Sequence, residues 1–357
     1  MKPERRGRGS QEKVPNPFES REYIEDPEYQ EWQHQNGEDP WADEATQYTE
    51  VNAKSIVNAV LSPDLGHKWS LNPYQGCEHG CSYCYARNTH TYWALDAGLD
   101  FERQILVKRN AADLLARHFE KSSWQPEAIM LSGNTDCYQP LERKLGITRS
   151  LLKVFLEYRN PVGIVTKNTL IERDLDLLIE LNKLNLVQVA FSLNSLDESL
   201  RRKMEPRTAT ANRRLALIQK LSDLGIPVQV LIAPIIPGLN SHEVLNIAEK
   251  VAAAGARNIS YTILRLNGQV KDVFLSWLEK HYPDRYQKVY NLVAASHDGQ
   301  LNDSQFGRRM HGHGEMAEQI KQSIVLARKR YFAQRELSDY NYQAFRRMPK
   351  GQYQLFD

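Results

Sequence analysis

From about residue 66 to residue 264, short apolar runs alternate with stretches in which apolar residues recur every three or four positions. The first pattern predicts buried strands and the second amphipathic helices. Strands are expected at 68–72, 128–131, 162–166, 186–191, 228–233 and 259–264. Helices are expected at 148–158, 173–184, 212–224 and 243–254, and another should follow Tyr85. Thr148 is placed to cap the first of these. Gly225, with Pro227 just beyond it, and Gly255 stand where helices end. After residue 270 the alternation stops. Helical periodicity returns at 273–281, 284–295 and 315–331 around a polar loop at 299–314, and an extended tail closes the chain from 346.

Short strands rich in Val, Ile and Leu that alternate with helices belong to parallel α/β sheets covered on both faces. Right-handed crossovers then leave a doubly wound sheet or a barrel. There is no G-x-G-x-x-G and no P-loop, which argues against dinucleotide binding. In both architectures sites form at the C-terminal ends of the strands. Residues 1–54 differ in kind. Charged residues, Gln, Asn and Pro dominate them, which is the composition of disorder. Trp32, Trp41 and Tyr48 are the residues there that could dock on a domain surface. The expected division is a disordered N-terminal arm at 1–54, a core at 55–270, and a helical C-terminal extension with tail at 271–357.

Composition adds exclusions. The chain has 357 residues, 41% of them hydrophobic and 25% charged, enough for a large core. A net charge of +2 neither demands nor forbids a nucleic-acid partner, and Arg5, Arg6 and Arg8 are too few to decide. No apolar run reaches the ~18 residues of a membrane span, so no membrane partner is expected. The first residues lack the apolar stretch of a secretory signal. Four cysteines without disulfide-like spacing suit a reducing, cytoplasmic compartment.

Three of those four cysteines fall in one loop, Cys77-Glu78-His79-Gly80-Cys81-Ser82-Tyr83-Cys84. A thiol cluster in a Cys-poor chain reads as a metal site. A 4Fe–4S cluster takes four ligands, so a loop supplying three leaves one iron open for chemistry. The alternatives are a zinc knuckle with His79 as fourth ligand, or three unrelated thiols.

The C-x3-C-x2-C spacing with Tyr83 before the last cysteine resembles the signature of the radical S-adenosylmethionine (SAM) enzymes. The stretch from Asn72 to Arg87 is most similar to their spore photoproduct lyase-like branch, and the resemblance runs from about 66 to 270. It implies a partial (β/α)6 TIM-like barrel, with Cys77, Cys81 and Cys84 binding a 4Fe–4S cluster whose open iron chelates SAM. One-electron cleavage would give a 5′-deoxyadenosyl radical that abstracts hydrogen. An electron donor such as a flavodoxin or ferredoxin is implied as partner.

The same resemblance suggests roles at successive strand ends. Ser132-Gly133-Asn134 stands where the family has a Gly-Gly-Glu-like segment for the SAM amino group; no Glu is present, and Asn134 or Asp136 could substitute, or simply make a turn. Cys137 follows this segment. Spore photoproduct lyases use a nearby cysteine as hydrogen-atom donor, although theirs precedes the equivalent Thr-Ser-Asp-like residues; packing is the other reading. Lys167 is expected at the SAM carboxylate. Ser192 and Asn194 are expected at the ribose. Arg207 is expected near the carboxylate, or else paired with Glu205. The segment of Ala233 and Ile235, ending in Pro237-Gly238, should back the adenine, and Tyr85 should pack near it. His297, His311 and His313 read as solvated rather than as a second metal site.

The expected function is hydrogen abstraction from an unidentified substrate. A sharper version is a DNA photoproduct lyase, which needs a basic groove. A rival of another class is a non-enzymatic zinc or iron–sulfur binding protein.

Overall fold

The computed structural model describes residues 5, 7–18 and 45–347. Trp32, Trp41 and the last ten residues therefore lie outside the described residues.

Among the described residues, ten strands form two sheets. The larger has the order β10-β9-β8-β7-β6-β3-β2, where β2 is Val57–Ala59, β3 Trp69–Leu71, β6 Ile129–Leu131, β7 Val162–Thr166, β8 Val187–Ser192, β9 Val228–Ile235 and β10 Asn258–Ile263. From β3 to β10 every neighbour is parallel; β2 runs antiparallel on the edge of β3. The six parallel strands thus lie side by side in chain order. When right-handed crossovers all step the same way, every helix falls on one face. The sheet therefore curls as a partial barrel, which removes the doubly wound alternative.

The helices on the convex face follow their expected spans: Ile147–Tyr158, Leu175–Lys183, Ala211–Asp223 and Val244–Ala253. Leu131, Ile164 and Val189 stand in register and share one core cluster with Leu151, Phe155 and Leu181 of these helices. The residues between them, Met130, Gly163 and Gln188, are also in register but stay outside that cluster. They line the concave face. There the Gln188 amide donates to the Ser338 carbonyl at 2.7 Å, and the Tyr340 hydroxyl to the Val162 carbonyl at 3.4 Å. Asn341 and Arg346 continue the contact through backbone bonds to Asn185 and Tyr158. This C-terminal segment crosses the N-terminal ends of the strands, opposite the end at which α/β sites form.

Several elements were not legible in the sequence. The second sheet, β1 (Gln47–Glu50), β5 (Gln104–Val107) and β4 (Tyr74–Gln75), is built from strands too short to show a period. Its β4 leads directly into the cysteine loop. Helices Leu99–Arg103, Ala111–Phe119 and Glu198–Met204 were also missed. Helices Val270–His281, Tyr286–Ala295 and Glu315–Tyr331 follow the barrel, and the last packs on Val244–Ala253.

The N-terminal composition misled in part. Arg8, Gly9, Ser10, Val14 and Asn16 are buried against the core, and Tyr48 lies in β1. A polar segment can be ordered without a core of its own when its backbone groups find partners elsewhere.

Candidate active site

The cysteine loop leaves β4 at the C-terminal end of β3, and it is pinned almost residue by residue. Cys77 N–H donates to the Phe101 carbonyl at 2.8 Å. Glu78 N–H donates to the Gln139 side chain at 2.9 Å, and the Glu78 carboxylate accepts from Leu141 N–H (2.6 Å) and the Tyr48 hydroxyl (3.0 Å). The Asp136 carboxylate lies 3.3 Å from His79 Nδ1, and the Asn168 amide 3.2 Å from Nε2. Ser82 N–H donates to the Met204 carbonyl at 3.0 Å. The Arg87 guanidinium donates to the Cys81 carbonyl at 2.9 Å. The Tyr85 hydroxyl donates to the Gly133 carbonyl at 2.7 Å. The loop is thus fixed by β6 and β7 loop residues and by the segment after β8, so its shape does not wait on a ligand.

Within this frame the three cysteines are neighbours. Half-buried Cys84 packs with one apolar cluster around Cys81 and Tyr83 and with another formed by Cys77, Ala86 and Phe101. Burial, and after it the Glu205 charge, pushes the Cys81 thiol well up; burial, followed by the charge of Cys77, also raises Cys84. Such thiols become ligands when a cation takes the place of the proton. The positive Lys167 beside Cys81 and Cys84 favours loss of the proton. Three soft sulfurs with a neighbouring ammonium fit an iron–sulfur cluster. His79, the fourth ligand of a zinc knuckle, faces Asp136 and Asn168 and also lies beside Cys77. Among the described residues, no three His, Cys, Asp or Glu groups are arranged to hold a metal ion as they stand.

Next to the cysteines is a buried charge network that the sequence did not disclose. The Tyr83 hydroxyl donates to the Glu205 carboxylate in a short bond, and the Asn194 amide donates to the Tyr83 oxygen at 3.2 Å. Arg214 lies 2.9 Å from Glu205 Oε2, and both are fully buried. Burial acts to raise the Glu205 pKa, but Arg214 and then Lys167 outweigh it and bring it to about 2. Burial opposes the charge of Lys167 too, yet Glu205 and the Cys81 sulfur keep its pKa above the ordinary lysine value. Lys167 Nζ donates to Ser192 Oγ at 2.9 Å, and Ser192 Oγ to the Ala233 carbonyl at 3.2 Å. Asn240, also unforeseen, ties Asn194 and Pro234 together through their carbonyls at 2.7 and 3.1 Å. Strand ends β7, β8 and β9 thereby converge: Lys167, Ser192, Asn194 and Ala233 sit beside the cysteine loop. Tyr85, 55% exposed, stands at its rim.

Other expected residues are placed elsewhere. Asp136 also accepts from Thr166 Oγ1 (2.9 Å), Lys167 N–H and Tyr138 N–H (both 2.8 Å), so it is a pin for His79 rather than a free acceptor. Cys137 is fully buried in the barrel core cluster, which holds none of the three loop cysteines. Its neighbour Asp136 points toward the loop, and the two side chains diverge. That placement agrees with the packing reading. Ile235 is likewise fully buried in that core. The Ser132 hydroxyl accepts from Cys137 N–H at 2.7 Å. Asn134 is held by Asn72 at 2.8 Å and reaches Thr89 at 3.2 Å. Arg207 does not pair with Glu205, which takes Arg214 instead. Its N–H donates to the His79 carbonyl at 3.3 Å, and its guanidinium lies against Gly7, with Nε 3.6 Å from where a Cβ there would be. His297 bonds the Leu264 carbonyl at 2.8 Å, His313 pairs with Asp298 at 3.0 Å, and His311 packs on Tyr261, so the three do not share a ligand site. A cleft of about 520 Å³ lined by Arg143, Arg173, Arg213 and Lys220 lies on the helical exterior, apart from the cysteine loop.

Residues 71–251 match the sequence profile of the Radical SAM superfamily. An uncharacterised protein of Mycobacterium tuberculosis is 36% identical over 68% of this chain and 73% of its own length. One from Methanocaldococcus jannaschii is 28% identical over 68% of this chain and 87% of its own. Among solved structures, spore photoproduct lyase complexed with a dinucleoside spore photoproduct has the same fold: TM-score 0.60, 16% identity, 80% of this chain and 79% of that one.

Proposed function

The chain belongs to the radical SAM superfamily, and from that premise we propose that Cys77, Cys81 and Cys84 hold a 4Fe–4S cluster at which SAM is cleaved to activate a substrate C–H bond. The observation that carries this reading is the convergence of three neighbouring thiols, Lys167 and the β8 and β9 ends in one pinned site. Cluster and cosubstrate, when bound, supply a one-electron cleavage that yields a 5′-deoxyadenosyl radical. The chain's own residues bind and orient. Lys167 is a point charge for the SAM carboxylate, held in place by Ser192. The Gly133 carbonyl accepts from Tyr85 and has a second lone pair for the SAM ammonium. Ser192 and Asn194 face the ribose, the Ala233 turn backs the adenine, and the exposed Tyr85 ring covers it. Asp136, Cys137, Ile235 and Arg207 are left out of this contact set on the positions given above.

Anaerobic reconstitution tests the reading. The expected result is ~4 Fe per chain and 5′-deoxyadenosine on reduction with SAM. One zinc per chain and no SAM cleavage would overturn it. Measuring 5′-deoxyadenosine formation across candidate substrates, a dinucleoside photoproduct among them, then addresses the reaction. The likeness to spore photoproduct lyase concerns the fold, so DNA enters as one member of that panel.

A further inference from the structure

Residues 7–17 come from the stretch whose composition predicts disorder, yet they bind to the outer side of the cysteine loop. Gly9 N–H and Ser10 N–H donate to the two oxygens of Glu102 at 3.0 and 2.8 Å. The Arg8 guanidinium donates to the Glu102 carbonyl at 3.0 Å. Asn16 donates to the carbonyls of Thr91 and Leu95 at 3.1 and 3.2 Å. Lys280 reaches Gln11 at 3.1 Å from the other side. The approach is close enough to dictate residue type. A Cβ on Gly9 would lie 1.6 Å from the Gly80 carbonyl oxygen, and one on Gly80 would lie 2.8 Å from Glu102 Oε2. Gly80, moreover, has a φ of +66°, which side chains rarely adopt.

Glu102 is the joint. It is fully buried, and the same carboxylate takes a short ion pair from fully buried Arg87. Arg87 in turn holds the Cys81 carbonyl. A buried ion pair is tolerable only when its remaining lone pairs are filled. Two of them are filled by the backbone of residues 9 and 10. The contact path therefore runs from the strap through Glu102 and Arg87 to a cysteine ligand.

We propose that residues 7–17 are part of the cofactor site: a strap that closes the outer side of the cysteine loop, keeps water and oxidants from the sulfur ligands, and so sets the lifetime and potential of the cluster. Gly9 and Glu102 are positioning residues in this role. The inference rests on the cluster reading of Cys77, Cys81 and Cys84. Solvent exposure is one of the levers on cluster potential, so loosening the strap has a signature that lost stability alone would not give.

The test uses full-length protein reconstituted under argon. Gly9→Val cannot seat the strap. Asn16→Ala loosens its far end without touching the loop. Three readouts are taken: tryptic cleavage after Lys13, bleaching of the cluster in air, and its midpoint potential. For Gly9→Val, cleavage and bleaching should each accelerate by about fivefold or more, with full iron content and a less negative potential. Asn16→Ala should shift the same way by less. If Gly9→Val is cut rapidly but bleaches and titrates as wild type does, the strap is irrelevant to the cluster. If its cleavage is unchanged, the strap itself is overturned. Wild-type protein that takes up no cluster removes the underlying reading as well, whereas tryptic protection would still report the strap.

Discussion

At the scale of single residues, the four cysteines separate by environment. Cys77, Cys81 and Cys84 line one loop; Cys137 sits in the apolar core with a pKa driven up by burial and then by Asp136. Cys77→Ala, Cys81→Ala or Cys84→Ala should each abolish iron retention and SAM cleavage while leaving the circular dichroism of the fold intact. Cys137→Ala should retain ~4 Fe and normal SAM cleavage and lower stability by about 1 kcal/mol, the cost of a small buried cavity. Iron analysis and denaturant unfolding check both. Lys167→Met keeps the apolar stem and removes the charge. Its expected effect is a KM for SAM raised tenfold or more, about 1.4 kcal/mol of lost binding, at unchanged iron content. The motif made the three ligands legible because their spacing is local. Side-chain direction is not written in local spacing. Asp136 and Cys137 are adjacent in sequence, but only the fold turns one to His79 and the other into the core.

At the scale of elements, the site is an assembly of strand ends held by buried charges. Glu205, just past helix Glu198–Met204, organises it by binding Tyr83 and Arg214. Removing its charge leaves Arg214 buried and unpaired, so Glu205→Gln should cost about 3–5 kcal/mol. The pH dependence has a definite sign. The folded-state pKa, about 2, lies below the ordinary 4.5. The stabilisation, on the order of 3 kcal/mol, is thus present above pH 4.5 and lost as pH falls toward 2. Unfolding measured across that window should show the slope in wild type and a flatter profile in Glu205→Gln. The four later barrel strands and the four barrel helices were legible because their periods run over five to thirteen residues, whereas three-residue β3 and β6 were legible only through their place in the alternation. The second sheet was not, because strands of two to four residues carry no period.

At the scale of the molecule, chain-order strand neighbours produce a curled sheet with a concave face, and the C-terminal segment crosses its lower end. Gln188, Val162, Asn185 and Tyr158 all bond residues 338–346. Truncation after residue 336 should therefore lower Tm and increase amide exchange in β7 and β8. Iron content should be unchanged, because the cysteine loop lies at the opposite strand ends. Loss of the cluster on this truncation would refute that separation.

The sequence by itself determined the run of β and α elements, the three-cysteine loop and the strand ends facing it. All of these are written in short-range spacing and in the chirality of crossovers. Only the tertiary structure decided which side chains reach the loop. Glu205 with Tyr83, Arg87 with Glu102, and Gly9 against Gly80 are pairings brought together by folding, and 122, 15 and 71 residues separate their members. A buried carboxylate reads as an ordinary surface charge until its partners are known, because whether it is solvated or paired depends on what packs over it. The same holds for the N-terminal strap. Its composition cannot build a core, and its order comes from the groups it satisfies on the loop it covers.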